Sequence, residues 1–260
     1  MAFDLEKAQS WSIIFTVIGV VVTLIGIIGC FIIDDAKNET SQIGYWNSVI
    51  HGFKPSTVIA NKSLYFYLVC FIVFNSSIQI FMPYLIIYYE TSLMMTDYVF
   101  VMAPAIILAS VVTAFWGRVY DKKGFLFSGW FSILWLALGY VLLYLFRGYV
   151  PVFIGSLFMM CGYLAGMAVF GAKIRDLTPQ NKAGMFQGVR IFSQVLIPGI
   201  VGPFIGKLVL QNAEMKLNND GTYSFIPNEN IFLAALLVIV LLAVVLLIKG
   251  GKNAKIKQKS

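Results

Sequence analysis

The sequence predicts an all-α integral membrane protein, a bundle of about seven transmembrane helices. Hydrophobic residues make up 59% of its 260 residues and charged residues only 12%, whereas soluble domains carry about 25% charged residues. The apolar residues also occur in blocks of roughly 20 residues, the length of helix that crosses the hydrocarbon core of a bilayer. A chain with so few charges cannot cover a soluble fold with polar side chains, so soluble fold classes are excluded.

Seven apolar blocks have the length of a membrane span. The first is separated from the other six by a polar stretch, Asp34 to Ser63, which is too short to bury a core of its own. We therefore expect no soluble catalytic domain. In chain order the predicted spans are Trp11–Ile33, Leu64–Tyr89, Tyr98–Trp116, Leu126–Phe146, Val150–Ala172, Ile191–Leu210 and Ile231–Ile248.

The polar stretch 34–63 is predicted to be a cytoplasmic connector that contains a short helix along the membrane surface. Its apolar residues recur at helical spacing opposite polar ones, as in interfacial helices; they are Tyr45, Trp46, Val49, Ile50 and Phe53. The expected domain organisation is a separate first helix (1–33), the connector (34–63), a six-helix bundle (64–248) and a basic cytoplasmic tail (249–260).

Lysine and arginine residues are concentrated in alternate loops, which predicts the orientation. Most of the 19 lie in the connector, in the loops after the third and fifth spans, and in the C-terminal tail. Basic loops remain in the cytoplasm, so we expect a multi-pass protein of the cell membrane with its N-terminus outside and its C-terminus inside. The net charge of +7 follows from these loops and requires no nucleic-acid partner.

No residue pattern in the sequence points to a metal, a cofactor or an enzyme active site. Cys30, Cys70 and Cys161 all fall inside apolar spans, which favours buried thiols over disulfides. His51 is the single histidine, and the spans contain no carboxylate pair or metal-ligand cluster. We therefore expect neither a cofactor nor a bound metal, and we do not expect an enzyme.

The cytoplasmic loop between the third and fourth spans carries the most specific motif. It reads Gly117-Arg-Val-Tyr-Asp121-Lys122-Lys123-Gly124, and its glycines allow a sharp turn between antiparallel helices. Asp121 can face the positive N-terminal end of a neighbouring helix. The loop resembles the G-x-x-x-D-[RK]-x-G-[RK] loop of the major facilitator superfamily, although Phe125 occupies the final basic position.

A second cytoplasmic loop, residues 173–190, reads KIRDLTPQNKAGMFQGVR. It is similar to the D-x-T-P-x-x-x-x-G-x-x-Q-G loop of sugar-transporting facilitators such as the glycoside–pentoside–hexuronide cation symporters. The resemblance implies that residues 64–248 form the C-terminal half of a transporter, built from two three-helix units of opposite topology. Trp11–Ile33 would then be the last helix of a lost N-terminal half, and the chain alone is not expected to transport.

Polar residues inside the spans are the candidates for solute binding, because burying them in hydrocarbon is costly. Asn75 and Gln79 lie four residues apart on one face of the second span, which by the resemblance lines the central cavity. We expect both to bind the substrate, with Tyr163 and Trp135 as weaker candidates. The alternative is that the two amides join neighbouring helices.

The residues expected to act in gating lie in the two cytoplasmic loops and in the sixth span. Arg190 is expected to pair with Asp121 or Asp176, or else to extend to the membrane interface. Three Gly-x-x-x-Gly pairs, beginning at Gly162, Gly184 and Gly202, are expected to allow close contact between helices. The full gating set is Gly117, Asp121, Lys122, Gly124, Asp176, Gln187, Arg190 and Gln194.

The resemblance implies a secondary transporter that moves a small polar solute, a sugar or glycoside, by alternating access, with coupling to a cation. Facilitator-type efflux of drug-like solutes and a seven-helix receptor are the alternatives. A retinal-binding receptor needs a lysine inside the last span, and Ile231–Ile248 has none. The expected partners are the solute, the bilayer, and either a missing N-terminal six-helix half or a second copy of the chain.

Overall fold

The computed structural model describes residues 8–32, 50–179, 182–217 and 223–257. They belong to two units, one ending at Gly44 and the other beginning at Tyr45. In the first unit, α1 runs from Ala8 to Ile32, and its apolar part is long enough to cross a bilayer. The residues 45–49 of the predicted interfacial helix lie outside the described residues.

Short helical turns form the described part of the connector. A 3₁₀ turn covers His51–Phe53, and α2 follows at Pro55–Ala60, with proline in the first helical turn, where its missing N–H costs nothing. The aromatic ring of Phe53 packs against Phe192, with 5.0 Å between ring centroids. This end of the connector is therefore held on the bundle.

Six further helices and one short hairpin complete the second unit. The helices are α3 (Lys62–Ser92), α4 (residues 99–123), α5 (residues 125–145), α6 (Tyr149–Leu177), α7 (Ala183–Val209) and α8 (Asn230–Lys257). The strands β1 (Met215–Leu217) and β2 (Tyr223–Phe225) pair antiparallel between α7 and α8. The all-α prediction is confirmed, and the hairpin is the one departure within the described residues.

Gly124 divides a helical stretch of 47 residues, Val99–Leu145, into α4 and α5. Unbroken, it would be about 70 Å long, more than twice the roughly 30 Å thickness of the hydrocarbon core. Gly124 has φ 74° and ψ −179°, a combination open essentially to glycine alone. With α1, seven described helices thus have the length and composition of membrane spans. The motif that we predicted as a loop is helical as far as Lys123.

Replacement of Gly124 by alanine is expected to destabilise the protein by about 1–3 kcal/mol, because the side chain would be held in a strained backbone conformation. The matched control is Gly117→Ala, since Gly117 is helical and a Cβ there would meet no atom within 4 Å. Alanine is favoured over glycine in a helix by about 0.5–1 kcal/mol, so this control is expected to be neutral or slightly stabilising. Thermal unfolding in detergent measures both, and equal melting temperatures would contradict the assignment.

Helix α3 is the centre of the bundle and contacts α6, α7 and α8. Its Phe74 packs against Gly166 of α6, where a Cβ would overlap the phenyl ring. The hairpin of α5 and α6 is packed still more closely, because Gly139 meets the backbone of Met159 and Gly162 meets the backbone of Leu136. The lack of side chains at these positions lets the helices approach, as in other membrane bundles.

Candidate functional site

Helices α3 and α7 meet through the glycine pair Gly202 and Gly206. A Cβ on Gly202 would overlap the Cβ of Gln79 and lie 2.7 Å from its carbonyl carbon. A Cβ on Gly206 would lie 2.6 Å from the carbonyl oxygen of Ile80. This glycine pair therefore makes the close contact that the sequence predicts, and Gly162 makes another against α5. Gly184 has no atom of the described residues within 4 Å of its Cβ position, so it makes no such contact with them.

The middle of α3 carries a run of three buried polar residues. Asn75 is 4% exposed, and its Nδ2 donates to the carbonyl oxygen of Phe71 at 3.0 Å, within the same helix. Ser77 is fully buried, donates to the carbonyl oxygen of Phe74 and lies 3.4 Å from the hydroxyl of Tyr140. The buried hydroxyl of Ser76 has no hydrogen-bond partner among the described residues. An unsatisfied polar group in an apolar setting costs free energy, so the Ser76 hydroxyl is a donor available to a further partner.

The other predicted binding residues lie on α3 itself, on α6 and on α5. Gln79 is half-buried beside α7, and Tyr163 is half-buried on α6, where it packs against the apolar core. Trp135 belongs to an aromatic cluster on α4 and α5, with its ring centroid 4.5 Å from that of Trp116. The Nε1 of Trp116 donates to the carbonyl oxygen of Ser128 at 3.2 Å. The structure thus explains the position of Trp135 by packing, and the substrate-binding role of all four residues stays a prediction.

Helix α3, which carries this polar run, and its neighbour α7 are both irregular. In α3, a 3₁₀ turn at Met82–Tyr84 and a π turn at Tyr88–Ser92 interrupt the α-helical hydrogen bonding. In α7, a π turn covers Phe192–Leu196 and contains the half-buried Gln194. Such turns occur often at functional sites and at points where helices bend.

At the end of the bundle where α4 and α6 terminate, the hydroxyl of Tyr120 donates to Oδ2 of Asp176 at 2.6 Å. This hydrogen bond joins the last turn of α4 to the last turn of α6. The other carboxylate oxygen of Asp176 lies 3.5 Å from the Nη2 of Arg175. Sequence reasoning missed Tyr120, although the residue lies inside the motif that resembles the facilitator loop. The feature that could have indicated it is a tyrosine hydroxyl next to Asp121 at the end of a span.

Arg190 does not form the predicted ion pair with Asp121 or Asp176 in the part of the chain that the structure describes. Asp176 already has Tyr120 and Arg175 as partners, and Asp121 is exposed. The Nη2 of Arg190 instead lies 3.7 Å from the Cβ position of Gly171 on α6, so the guanidinium of this half-buried residue lies against α6. Of the remaining gating candidates, Lys122 and Gln187 are exposed.

An ion pair lies at the opposite end of the bundle. The Nη2 of Arg147, which follows α5, lies 2.9 Å from Oε2 of Glu229 at the start of α8. The Nη1 of Arg147 also donates to the carbonyl oxygen of Tyr144 at 3.0 Å, in the last turn of α5. The Ser92 hydroxyl, at the end of α3, donates to the carbonyl oxygen of Pro227. These contacts join the ends of α3, α5 and α8 on one face.

A family model described as Major Facilitator Superfamily matches residues 7–203. The match covers more than half of the chain and includes both motifs on which the resemblance rests, at residues 117–125 and 173–190. No curated protein and no solved structure matches the chain.

Proposed function

The chain belongs to the major facilitator superfamily, and on this premise we propose that it moves a small neutral polar solute, a sugar or glycoside, by alternating access. Members of this family are secondary membrane transporters of the facilitator type; the solute class is our proposal. The observation that carries it is the buried polar run Asn75–Ser77 in the middle of α3. Neutral amides and hydroxyls recognise the hydroxyl groups of a sugar by hydrogen bonding.

The absence of acidic residues from the middle of the spans supports a neutral solute. The sequence has no aspartate or glutamate in the middle of any predicted span; Glu90 lies in the last turn of α3 and Asp97 lies just before α4. The spans of this chain therefore offer a cationic solute no carboxylate in the membrane interior, and an unpaired charge there is costly. If transport is coupled to a cation, as in the symporters that the chain resembles, we propose that a second bundle supplies the carboxylates.

The second bundle is either an N-terminal half or a second copy of this chain. Facilitators bind their solute near the membrane midplane between two such bundles. Large apolar side chains on α4 and α7 remain exposed within the described unit, among them Phe115 at 61% and Phe204 at 61%. We propose that a partner bundle covers part of this surface and completes the cavity next to Asn75 and Gln79.

Movement between the two access states requires changes at the helix ends and within the helices. We propose that the Tyr120–Asp176 hydrogen bond, with the gating residues of the two basic loops, closes the cytoplasmic side and breaks when that side opens. The irregular turns of α3 and α7 are the points where these helices bend. The assignment of this side to the cytoplasm, with the N-terminus outside, rests on the distribution of basic residues.

We expect Asn75→Ala and Gln79→Ala each to weaken solute uptake without preventing insertion into the membrane. Loss of one hydrogen bond costs about 0.5–1.5 kcal/mol, which corresponds to a roughly two- to tenfold loss of affinity. The measurement is the concentration dependence of uptake in cells that carry each substitution in the native protein. Gln211→Ala is the matched control, because this exposed amide lies beyond the end of α7. Unchanged kinetics in both variants would remove the two amides from the binding site.

A further inference from the structure

A pocket of about 280 Å³ lies at the cytoplasmic end of the bundle, where α3, α6 and α7 meet. The apolar part of its lining consists of buried side chains, Leu64, Leu68 and Phe186. The polar part consists of the half-buried Arg190, the exposed Gln187 and the largely exposed Arg175. Two guanidinium groups thus share one pocket with apolar side chains, and ligand binding there would be a function beyond the gating role proposed for Arg190 and Gln187.

The charge of the pocket is only partly compensated. Arg175 has Asp176 at 3.5 Å, and the same carboxylate accepts the hydroxyl of Tyr120 through its other oxygen. Arg190 has no ion pair with any residue in the described ranges, and its guanidinium is directed against α6 at Gly171. A half-buried cation without a counter-ion is costly in the low dielectric of a membrane protein, so the pocket is suited to an anion.

The start of α7 adds to this positive potential. Ala183, the first residue of the helix, also lines the pocket. Backbone N–H groups at the first turn of a helix have no intrahelical acceptors and carry a partial positive charge. The helix start therefore acts in the same direction as the two arginines.

We propose that this pocket binds the phosphate group of an anionic ligand, chiefly through Arg190. Guanidinium groups bind phosphate oxygens with two parallel hydrogen bonds, and the amide of Gln187 supplies a further donor. The apolar wall formed by Leu64, Leu68 and Phe186 fits the acyl chains of a phospholipid. An anionic lipid of the inner leaflet therefore satisfies both sides of the pocket, and soluble phosphate satisfies the polar side alone.

The test is a binding titration of the purified full chain in detergent with phosphatidylglycerol, phosphatidylcholine or inorganic phosphate. Native mass spectrometry counts bound lipid, and thermal unfolding reports stabilisation by each ligand. We expect phosphatidylglycerol to bind, and Arg190→Gln to weaken its binding about tenfold or more, as for the loss of a charge-assisted hydrogen bond. Arg118→Gln is the matched control, because it removes the same charge from the exposed end of α4 outside this pocket.

Each outcome decides the proposal. Phosphatidylglycerol binding that depends on Arg190 supports the lipid source, and stabilisation by inorganic phosphate with the same dependence supports a soluble source. Equal binding of phosphatidylcholine, equal losses in the Arg190 and Arg118 variants, or no binding at all would overturn it. If Arg190→Gln does not fold, Arg190→Lys serves instead and is expected to weaken binding several-fold, since lysine lacks the bidentate geometry. No transport is measured, so failure of the proposed transport function would leave this result unaffected.

Discussion

Gly202→Leu is expected to prevent correct packing of the bundle, whereas Gly199→Leu on the same helix is expected to be tolerated. The Cβ position of Gly202 overlaps the side chain and approaches the backbone of Gln79. Since backbone atoms cannot move aside as a flexible side chain can, α3 and α7 would have to separate. Overpacking of this kind costs about 1–3 kcal/mol or more. At Gly199, by contrast, a Cβ would meet no atom within 4 Å.

The two variants are compared by size-exclusion profile and by thermal unfolding in detergent. We expect aggregation or a clearly lowered melting temperature for Gly202→Leu, and values close to those of the native chain for Gly199→Leu. Because both changes add the same side chain to α7, general effects of a larger residue cancel. Equal behaviour of the two variants would show that α3 and α7 do not pack through Gly202.

The spans could be predicted from the sequence because each one needs a long apolar block, and this requirement is independent of tertiary packing. The prediction of seven spans therefore agrees with the helices, and the turn between the third and fourth was placed by the glycine that forms it. The ends of the helices are predicted less accurately than their existence. Residues 117–123 are polar and resemble a loop, yet they extend α4 by about two turns, because a helix continues into the interface until a residue such as Gly124 stops it.

The candidate site was harder to predict because partners in space are not visible in the sequence. Asn75 and Gln79 were chosen for their spacing on one helix face, but Asn75 is buried and bonded to its own helix, while Gln79 lies against Gly202. The sequence does not single out Ser76, because a serine between two polar residues is ordinary; only the structure shows that its hydroxyl has no partner among the described residues. The hydrogen bond between Tyr120 and Asp176 joins residues 56 positions apart, and no local pattern indicates it.

We propose above that these helices are part of a transporter for a neutral polar solute. The most direct measurement is uptake of labelled neutral sugars and glycosides by vesicles from the native membrane, with and without the chain. Such vesicles contain any partner bundle, so the claim is tested on the complete transporter.

We expect removal of the chain to abolish saturable uptake of at least one such solute. The native chain is expected to restore this uptake at low solute concentration, whereas an Asn75→Ala/Gln79→Ala double variant is not. The size of the effect follows from the two lost hydrogen bonds, which together lower the affinity by roughly 4- to 100-fold. Unchanged uptake of every neutral sugar and glycoside after removal of the chain, together with loss of efflux of drug-like cations, would contradict the account.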